Sequence, residues 1–186
     1  MPWGQGAAVG DEINNLYWAD AAVNPQKAYD SIVSDYGLSC SSIILSRTAK
    51  SNGGRYSAPI YIFVNDWSLQ YPHQTNPGYI SRFAWHSLDL VMLTESWSSI
   101  SDGSYSPGPQ DLAGSAFLQS VWYNFISSGS PGHDWLAVDA APGWPQHYNT
   151  FQYIPQSSSV VVDFKSDICT YFDTIGLDNQ TFWWCD

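Results

Sequence analysis

The chain has 186 residues, 44% of them hydrophobic, which is enough for one domain with a substantial core. A formal net charge of -11 and a pI near 4.3 argue against nucleic-acid binding, because neutralising phosphates requires clustered Lys and Arg. No run of about eighteen apolar residues predicts a membrane span. The first residues also lack the features of a signal peptide, so the chain is either intracellular or its true beginning is absent.

The first half predicts two helices and a strand. Residues 1–16 are expected to be irregular. A helix is expected over 25–34, with Asn24 as its N-cap and Pro25 at the first helical position. A second helix begins near Ser39 and ends at the glycines of 52–54. Residues 59–66 (PIYIFVND) form a nearly continuous β-branched and aromatic run, which predicts a buried strand. This order of elements is typical of an α/β unit.

The second half predicts mainly helix and loop. Residues 71–81 are rich in Pro, Asn and Gly, which indicates a loop, and 88–93 favour a short helix or a buried turn. The clearest helix is expected over 111–127, because its apolar residues lie on one broad face and Gly129 follows it. We expect loop over most of 130–149. A small hairpin is then expected from 151–154 and 160–164, followed by a final helix over 165–175.

Several segments resemble, in their order, the C-terminal third of the type-B carboxylesterases, the α/β-hydrolase family that includes the cholinesterases and fungal lipases. They are residues 34–40 (SDYGLSC), the strand at 59–66, 86–89 (HSLD), 119–125 (QSVWYNF) with 128–131 (SGSP), 144–145 (WP) with the hairpin, and 168–172 (ICTYF). The resemblance covers most of the chain from about Tyr17 onward. It implies an α/β fold, helix-rich, with one main sheet strand and a small β-hairpin. Residues 1–186 would then be a single partial domain.

The resemblance implies that His86 is the general base of a catalytic triad, taking a proton from a serine hydroxyl and returning it to the leaving alcohol. Without the resemblance, a lone His between Trp85 and Ser87 is more often a buried structural residue. A nucleophile elbow needs the pattern Gly-x-Ser-x-Gly, and the sequence contains none. A Gly-Gly oxyanion stretch and the acid of the triad are also missing. The chain departs from the family at Ser41, Ser87 and Asp89, where the family has Pro, Gly and Glu.

The resemblance also implies cross-links. By analogy with the cholinesterases, Cys40 would form a disulfide with Cys169, and Asp35 would form an ion pair with Lys165. A local disulfide between Cys169 and Cys185, or three reduced thiols, remain open. By resemblance the protein would be secreted, and Asn179 begins a possible glycosylation sequon. No cofactor is indicated, and no pair of histidines has the spacing of metal ligands.

These observations leave three functions open. The first is the C-terminal portion of a carboxylic-ester hydrolase, acting on a small-molecule ester only when another part completes the site. The second is a non-catalytic, cholinesterase-like module that binds other proteins. The third is a sugar-binding surface made by exposed tryptophans, namely Trp135, Trp144, Trp183 and Trp184. Because such a slice of a fold leaves apolar faces uncovered, self-association is also expected.

Overall fold

The computed structural model describes residues 6–51, 57–71, 73–76, 79–81, 84–85, 87–155 and 157–176. The α-helices are α1 Gly6–Leu16, α2 Trp18–Val23, α3 Pro25–Ser34, α4 Cys40–Ser51, α5 Leu88–Thr94, α6 Pro109–Ser128 and α7 Ser166–Thr174. The strands are β1 Phe63–Asn65, β2 His73–Asn76, β3 Tyr79–Ser81, β4 Asn149–Tyr153 and β5 Ser159–Val162. A π-helical turn, Asp35–Ser39, joins α3 to α4, and short 3-10 turns lie at Trp97–Ser99, Ser101–Gly103 and Val138–Ala140.

Local sequence explains where the predicted helices begin and end. Asn24 caps α3, because its side chain accepts a hydrogen bond from the Gln26 amide at 2.9 Å. Helix α6 has Pro109 at its first turn and ends at Gly129, which adopts φ 76, the left-handed conformation that glycine adopts readily. The helices expected in these regions and in α4 and α7 are therefore confirmed, with shifts of one or two residues at their ends.

Two regions of the chain differ from the prediction. The start was expected to be irregular over 1–16, but Gly6–Leu16 is helical. Its apolar residues Ile13 and Leu16 pack against a core that sequence reasoning could not place there. Within the expected loop at 71–81, β2 pairs antiparallel with β3. The turn residues that indicated a loop also favour a hairpin when β-prone residues flank them.

One three-stranded sheet, in the order β1-β4-β5, forms the centre of the fold. Strand β1 runs parallel to β4, with Phe63 opposite Phe151, and β4 and β5 form the expected hairpin. Of the strand predicted over 59–66, only Phe63–Asn65 is a strand, and in the described part of the chain it has a partner along one side only. Ile62, which directly precedes β1, is nevertheless buried in the core.

The core has two halves, one on each face of the sheet. Tyr148 and Val161 face helices α4 and α7, together with the buried residues Ile43 and Phe172. The opposite face packs against α5 and α6, and its buried residues are Trp67, Leu88, Val91, Met92, Leu118, Phe151 and Tyr153. Because side chains alternate along a strand, one short sheet fills both clusters. The result is a layered, helix-rich α/β arrangement.

Candidate functional site

The predicted general base, His86, lies outside the described residues, and so do Asn179, Cys185, Trp183 and Trp184. The structure does describe both flanks of the segment that carries His86. One flank runs from the end of β1 to Tyr71, and the other begins at Ser87 and continues into α5. These flanks mark the two ends of the segment that carries His86.

The first flank is fixed to the start of α6 through Asp111. The Asp111 carboxylate is fully buried and accepts a hydrogen bond from the Gln70 backbone amide at 2.9 Å. The indole Nε1 of Trp67 lies 3.4 Å from the same oxygen. In return, the Gln70 side-chain oxygen accepts a hydrogen bond from the Gln110 amide at 3.0 Å. Four residues of loop are thereby held against the first turn of the longest helix.

Asp111 also organises the chain that leads into α6. Its second oxygen accepts hydrogen bonds from the Tyr105 hydroxyl at 2.6 Å and from the Gly108 amide at 3.0 Å. The Gly108 bond is one half of a capping box, because Asp111 occupies the third position of the helix. Burial, followed by the Asp111 hydrogen bond, raises the pKa of Tyr105, so its hydroxyl remains a donor at neutral pH.

The second flank is fixed to the middle of α6. Ser87 adopts φ 70, a left-handed conformation, and directly precedes α5. Leu88 and Met92 on α5 are completely buried in the cluster that includes Leu118 of α6. The Gln119 side chain donates hydrogen bonds to the Leu93 carbonyl at 3.0 Å and to the Glu95 carboxylate at 3.2 Å. Of the short helix or buried turn expected here, the structure has the helix, which is anchored at its carboxyl end.

Both flanks meet at Gly114 on α6. A Cβ atom at this position would lie 2.5 Å from the ring carbon Cζ2 of Trp67 and 2.8 Å from Cε of Met92. The Trp67 ring stacks on Tyr153, with centroids 4.7 Å apart, and the Tyr153 hydroxyl donates to the Gly114 carbonyl at 2.6 Å. Only a glycine allows this approach. Helix α6 therefore fixes both ends of the segment that carries His86.

Sequence reasoning did not single out Asp111 or Gly114. An Asp two residues after Pro109 is an ordinary signal for a helix start, and it gave no reason to expect contacts with residues forty positions earlier. A glycine inside an otherwise regular helical pattern was the available signal for Gly114, because such a residue often marks a close approach.

Two other histidines make polar contacts on the surface. The His133 ring nitrogen Nε2 lies 3.0 Å from the Ser120 hydroxyl, and that hydroxyl also lies 2.7 Å from the Phe117 carbonyl. The hydroxyl donates its proton to the Phe117 carbonyl. His147 bonds to Asp163 through Nδ1, and half of its side chain is exposed.

The cross-links expected from the resemblance lie on the other face of the sheet. A disulfide joins Cys40 to Cys169. The Lys165 ammonium lies 2.7 Å from both carboxylate oxygens of Asp35, which is 1% exposed. The Tyr17 hydroxyl also donates to Asp35, at 2.9 Å, a partner that the sequence did not indicate. Burial, followed by the neighbouring carboxylate, raises the pKa of Tyr17 and keeps it a donor.

Of the four tryptophans predicted to bind sugar, the structure describes Trp135 and Trp144, and these two do not form an exposed platform. Trp135 is half-buried, stacks on Phe151 with centroids 4.9 Å apart and contacts the edge of Phe63. Trp144 is also half-buried and packs against the core cluster on the opposite face of the sheet. The expectation that both are exposed is therefore wrong for these residues, whose rings fill two separate clusters.

The described residues lack the features of a metal site and of a membrane span. They contain no group of three or more His, Cys, Asp or Glu side chains placed to hold a metal ion. Within those ranges, no helix is both long enough and apolar enough to cross a membrane.

Comparison with known proteins relates this geometry to esterases. No protein-family model matches the sequence, and no curated protein does either. Juvenile hormone esterase from Manduca sexta, solved with OTFP covalently attached, is similar over 83% of this chain, with a TM-score of 0.61 and 21% identity. The chain spans 29% of the length of that esterase.

Two further solved structures are also similar. A PNB esterase matches 62% of this chain and 22% of its own, with a TM-score of 0.43 and 20% identity. An esterase from Clostridium hathewayi that hydrolyses aliphatic aromatic polyesters matches 79% of this chain and 32% of its own, with a TM-score of 0.45 and 12% identity. From the similarity to the insect enzyme, the chain has the fold of part of a carboxylesterase-type α/β hydrolase.

Proposed function

We propose that this chain is the C-terminal portion of a carboxylic-ester hydrolase of the carboxylesterase type and that His86 is its general base. The observation that carries the proposal is the fold similarity to juvenile hormone esterase over 83% of the chain. The substrate would be a small-molecule carboxylic ester. The serine nucleophile, the acid and the oxyanion donors would come from another part of the protein, because the sequence has no nucleophile elbow.

The anchoring of the segment that carries His86 supports this role. A general base must lie within about 3 Å of the hydroxyl from which it takes the proton, and an error of 1 Å can lower the rate about 100-fold. Asp111 holds one flank of the segment and Gly114 allows both flanks to pack on α6. Such a frame suits a side chain that has to be delivered to a fixed position.

The isolated chain should not react as a serine esterase. Incubation with a fluorophosphonate probe, followed by mass spectrometry of the intact protein, should leave it unlabelled. A complete serine esterase treated alongside it serves as the positive control. Stoichiometric labelling of the chain, lost on denaturation before the probe is added, would contradict the proposal that its site is incomplete.

A reconstituted pair tests the role of His86. The chain would be combined with an esterase portion that supplies the serine, the acid and the oxyanion donors, and ester hydrolysis would be measured. We expect His86→Ala to lower kcat by at least about 1,000-fold, the scale seen when a triad member is removed. His73→Ala, in the same segment, is the matched control and should retain activity. Activity that survives His86→Ala, or a folded pair without activity, would contradict the proposal.

Secretion is part of the proposal. The disulfide between Cys40 and Cys169 supports it, because structural disulfides persist mainly in oxidising compartments. Asn179 would then be a glycosylation site. Expression in secreting eukaryotic cells, with and without Asn179→Gln, should give a mass difference of one glycan; equal masses would remove Asn179 from the proposal.

A non-catalytic module that binds other proteins is the second candidate. Four exposed apolar residues near the end of α6, namely Trp122, Tyr123, Phe125 and Ile126, favour it, since such surfaces often mark contacts with other proteins. Binding to a partner that is unchanged by His86→Ala, without any gain of activity on reconstitution, would favour the module over the hydrolase.

A further inference from the structure

Ser87 has a left-handed backbone at a place that ordinarily favours glycine. Its φ is 70 and its ψ is 9, and the Leu88 amide donates a hydrogen bond to the Trp85 carbonyl at 3.2 Å. A bond between residues three positions apart closes a β-turn, in which Ser87 holds the third position. A positive φ with ψ near zero is typical of that position in type II and type I′ turns, which favour glycine because it lacks a Cβ atom. Ser87 therefore adopts a conformation that is uncommon for serine.

The neighbours of Ser87 hold it in this conformation. Its carbonyl accepts hydrogen bonds from the amides of Leu90 at 3.1 Å and Val91 at 3.2 Å, so the residue also begins helix α5. The next side chain, Leu88, is completely buried, and the Trp85 ring packs against the same cluster. A residue persists in a rare backbone conformation only where its surroundings determine it, and such residues are concentrated at functional sites.

The turn contains the peptide bond that joins Ser87 to His86. The backbone of Ser87 therefore sets the direction in which the chain passes from the anchored helix α5 to the residue before it. The ring of a histidine ends about 5 Å from its Cα atom, so a backbone rotation of about 15° moves that end by about 1 Å. A displacement of about 1 Å at a catalytic group can lower the rate about 100-fold.

We propose that Ser87 is a positioning residue for His86 and that it acts through its left-handed backbone rather than through its hydroxyl group. The inference rests on the proposed role of His86 as the general base. A side chain at position 87 that accepts a positive φ keeps the turn closed and leaves the base where the proton transfer requires it. A side chain that resists a positive φ distorts the turn, and the base moves with the backbone.

Substitutions at this position separate the backbone from the hydroxyl group. Ser87→Gly and Ser87→Asn remove the hydroxyl, but glycine and asparagine both accept a left-handed backbone. Ser87→Thr keeps the hydroxyl, but a β-branched residue is an outlier at a positive φ. Ser101→Thr is the matched control, because Ser101 has a φ of 51 and lies in a 3-10 turn outside both flanks of the segment.

Ester hydrolysis by the reconstituted pair measures the effect on catalysis. Ser87→Thr should lower kcat at least about 10-fold and change KM less than about 3-fold, because a displaced base weakens the transition state and not the binding of substrate. Ser87→Gly, Ser87→Asn and the control should keep kcat within about 3-fold of the unchanged chain. If Ser87→Thr does not fold, Ser87→Ala takes its place, and kcat should be lower for alanine than for asparagine.

Three outcomes in an active pair overturn the inference. They are full kcat in Ser87→Thr, loss of kcat in both Ser87→Gly and Ser87→Asn, which would assign the role to the hydroxyl, and equal loss in Ser101→Thr. A pair that is inactive with the unchanged chain contradicts the proposed function itself.

Hydrogen exchange in the isolated chain tests the backbone part without any activity. The Leu88 amide, which closes the turn, should exchange at least about 10-fold faster in Ser87→Thr and at the unchanged rate in Ser87→Asn. Ser101→Thr should leave this amide unaffected, and circular dichroism checks that every variant is folded. Equal exchange of the Leu88 amide in the threonine and asparagine variants overturns the inference, whether or not the pair is active.

Discussion

Replacing Gly114 with alanine tests the close packing of α6 against the segment that carries His86. The new Cβ atom would lie 2.5 Å and 2.6 Å from two ring carbons of Trp67 and 2.8 Å from Met92. The Trp67 ring cannot yield easily, because it stacks on Tyr153 and bonds to Asp111. Adding a methyl group to so tight a place lowers the free energy of unfolding by about 3 kcal/mol.

The higher helix propensity of alanine offsets about 1 kcal/mol of this loss. The net expectation for Gly114→Ala is a decrease of about 2 kcal/mol in the free energy of unfolding, which corresponds to a fall in Tm of about 6 °C for a chain of this size. Urea unfolding followed by tryptophan fluorescence suits the measurement, since the chain has ten Trp. Hydrogen exchange should also speed up at Gln70 and Leu88, which flank the segment.

Gly10→Ala is the matched control. Gly10 lies within α1, and a Cβ atom there would have no neighbour within 4 Å. Helix propensity alone then predicts a gain of up to about 1 kcal/mol. The two substitutions should therefore have opposite signs. If Gly114→Ala is as stable as the unchanged chain or more so, the account of α6 as the fixed support of both flanks is wrong.

Three further predictions concern the other face of the sheet and the buried tyrosines. Lys165→Met should lower the free energy of unfolding by about 3 kcal/mol in urea titrations, because the buried Asp35 carboxylate loses its cation. Adding Asp35→Asn to this variant should recover part of the loss. An unchanged free energy of unfolding for Lys165→Met would contradict the prediction. Replacing both cysteines of the disulfide with alanine should lower the free energy of unfolding by about 5 kcal/mol, because the bridge spans 129 positions and restricts the unfolded chain. A loss below about 1 kcal/mol would refute this explanation of its effect. Burial raises the pKa of Tyr17 and Tyr153, and raises that of Tyr148 to about 12. Unfolded tyrosines lose their protons near pH 10 while these three keep theirs, so unfolding is favoured above pH 10, by about 1.4 kcal/mol per pH unit for each. Urea titrations at pH 9, 10 and 11 measure the slope, and equal stabilities would contradict it.

Local signals were sufficient for most helices of this chain. A capping Asn24 before Pro25 and a glycine after the last turn of α6 act within a few residues, so the sequence alone indicates where these helices begin and end. The helix at the start was missed because its apolar residues depend on a distant core. The hairpin of β2 and β3 was missed because its turn residues are equally common in loops.

Long-range contacts were beyond the reach of sequence patterns. Nothing local indicates that Phe63 lies opposite Phe151, since that pairing depends on how the whole intervening chain folds. For the same reason the sequence did not indicate the role of Asp111, whose carboxylate binds a loop about forty residues earlier. The disulfide and the partner of Lys165 could be expected only from a resemblance to a family, and Tyr17 was not expected at all.

The position of the disulfide has a consequence for synthesis of the protein. Cys169 follows Cys40 by 129 residues, and β4 follows β1 by more than eighty. During synthesis, α6 therefore emerges from the ribosome with its apolar surface exposed before β4 can pair with β1 and before the disulfide can form. Contacts between residues so distant in sequence form slowly. Until they form, an exposed apolar helix is prone to aggregation. The nascent chain should consequently need a chaperone for most of its synthesis, and its yield should depend on how soon oxidation follows the emergence of Cys169.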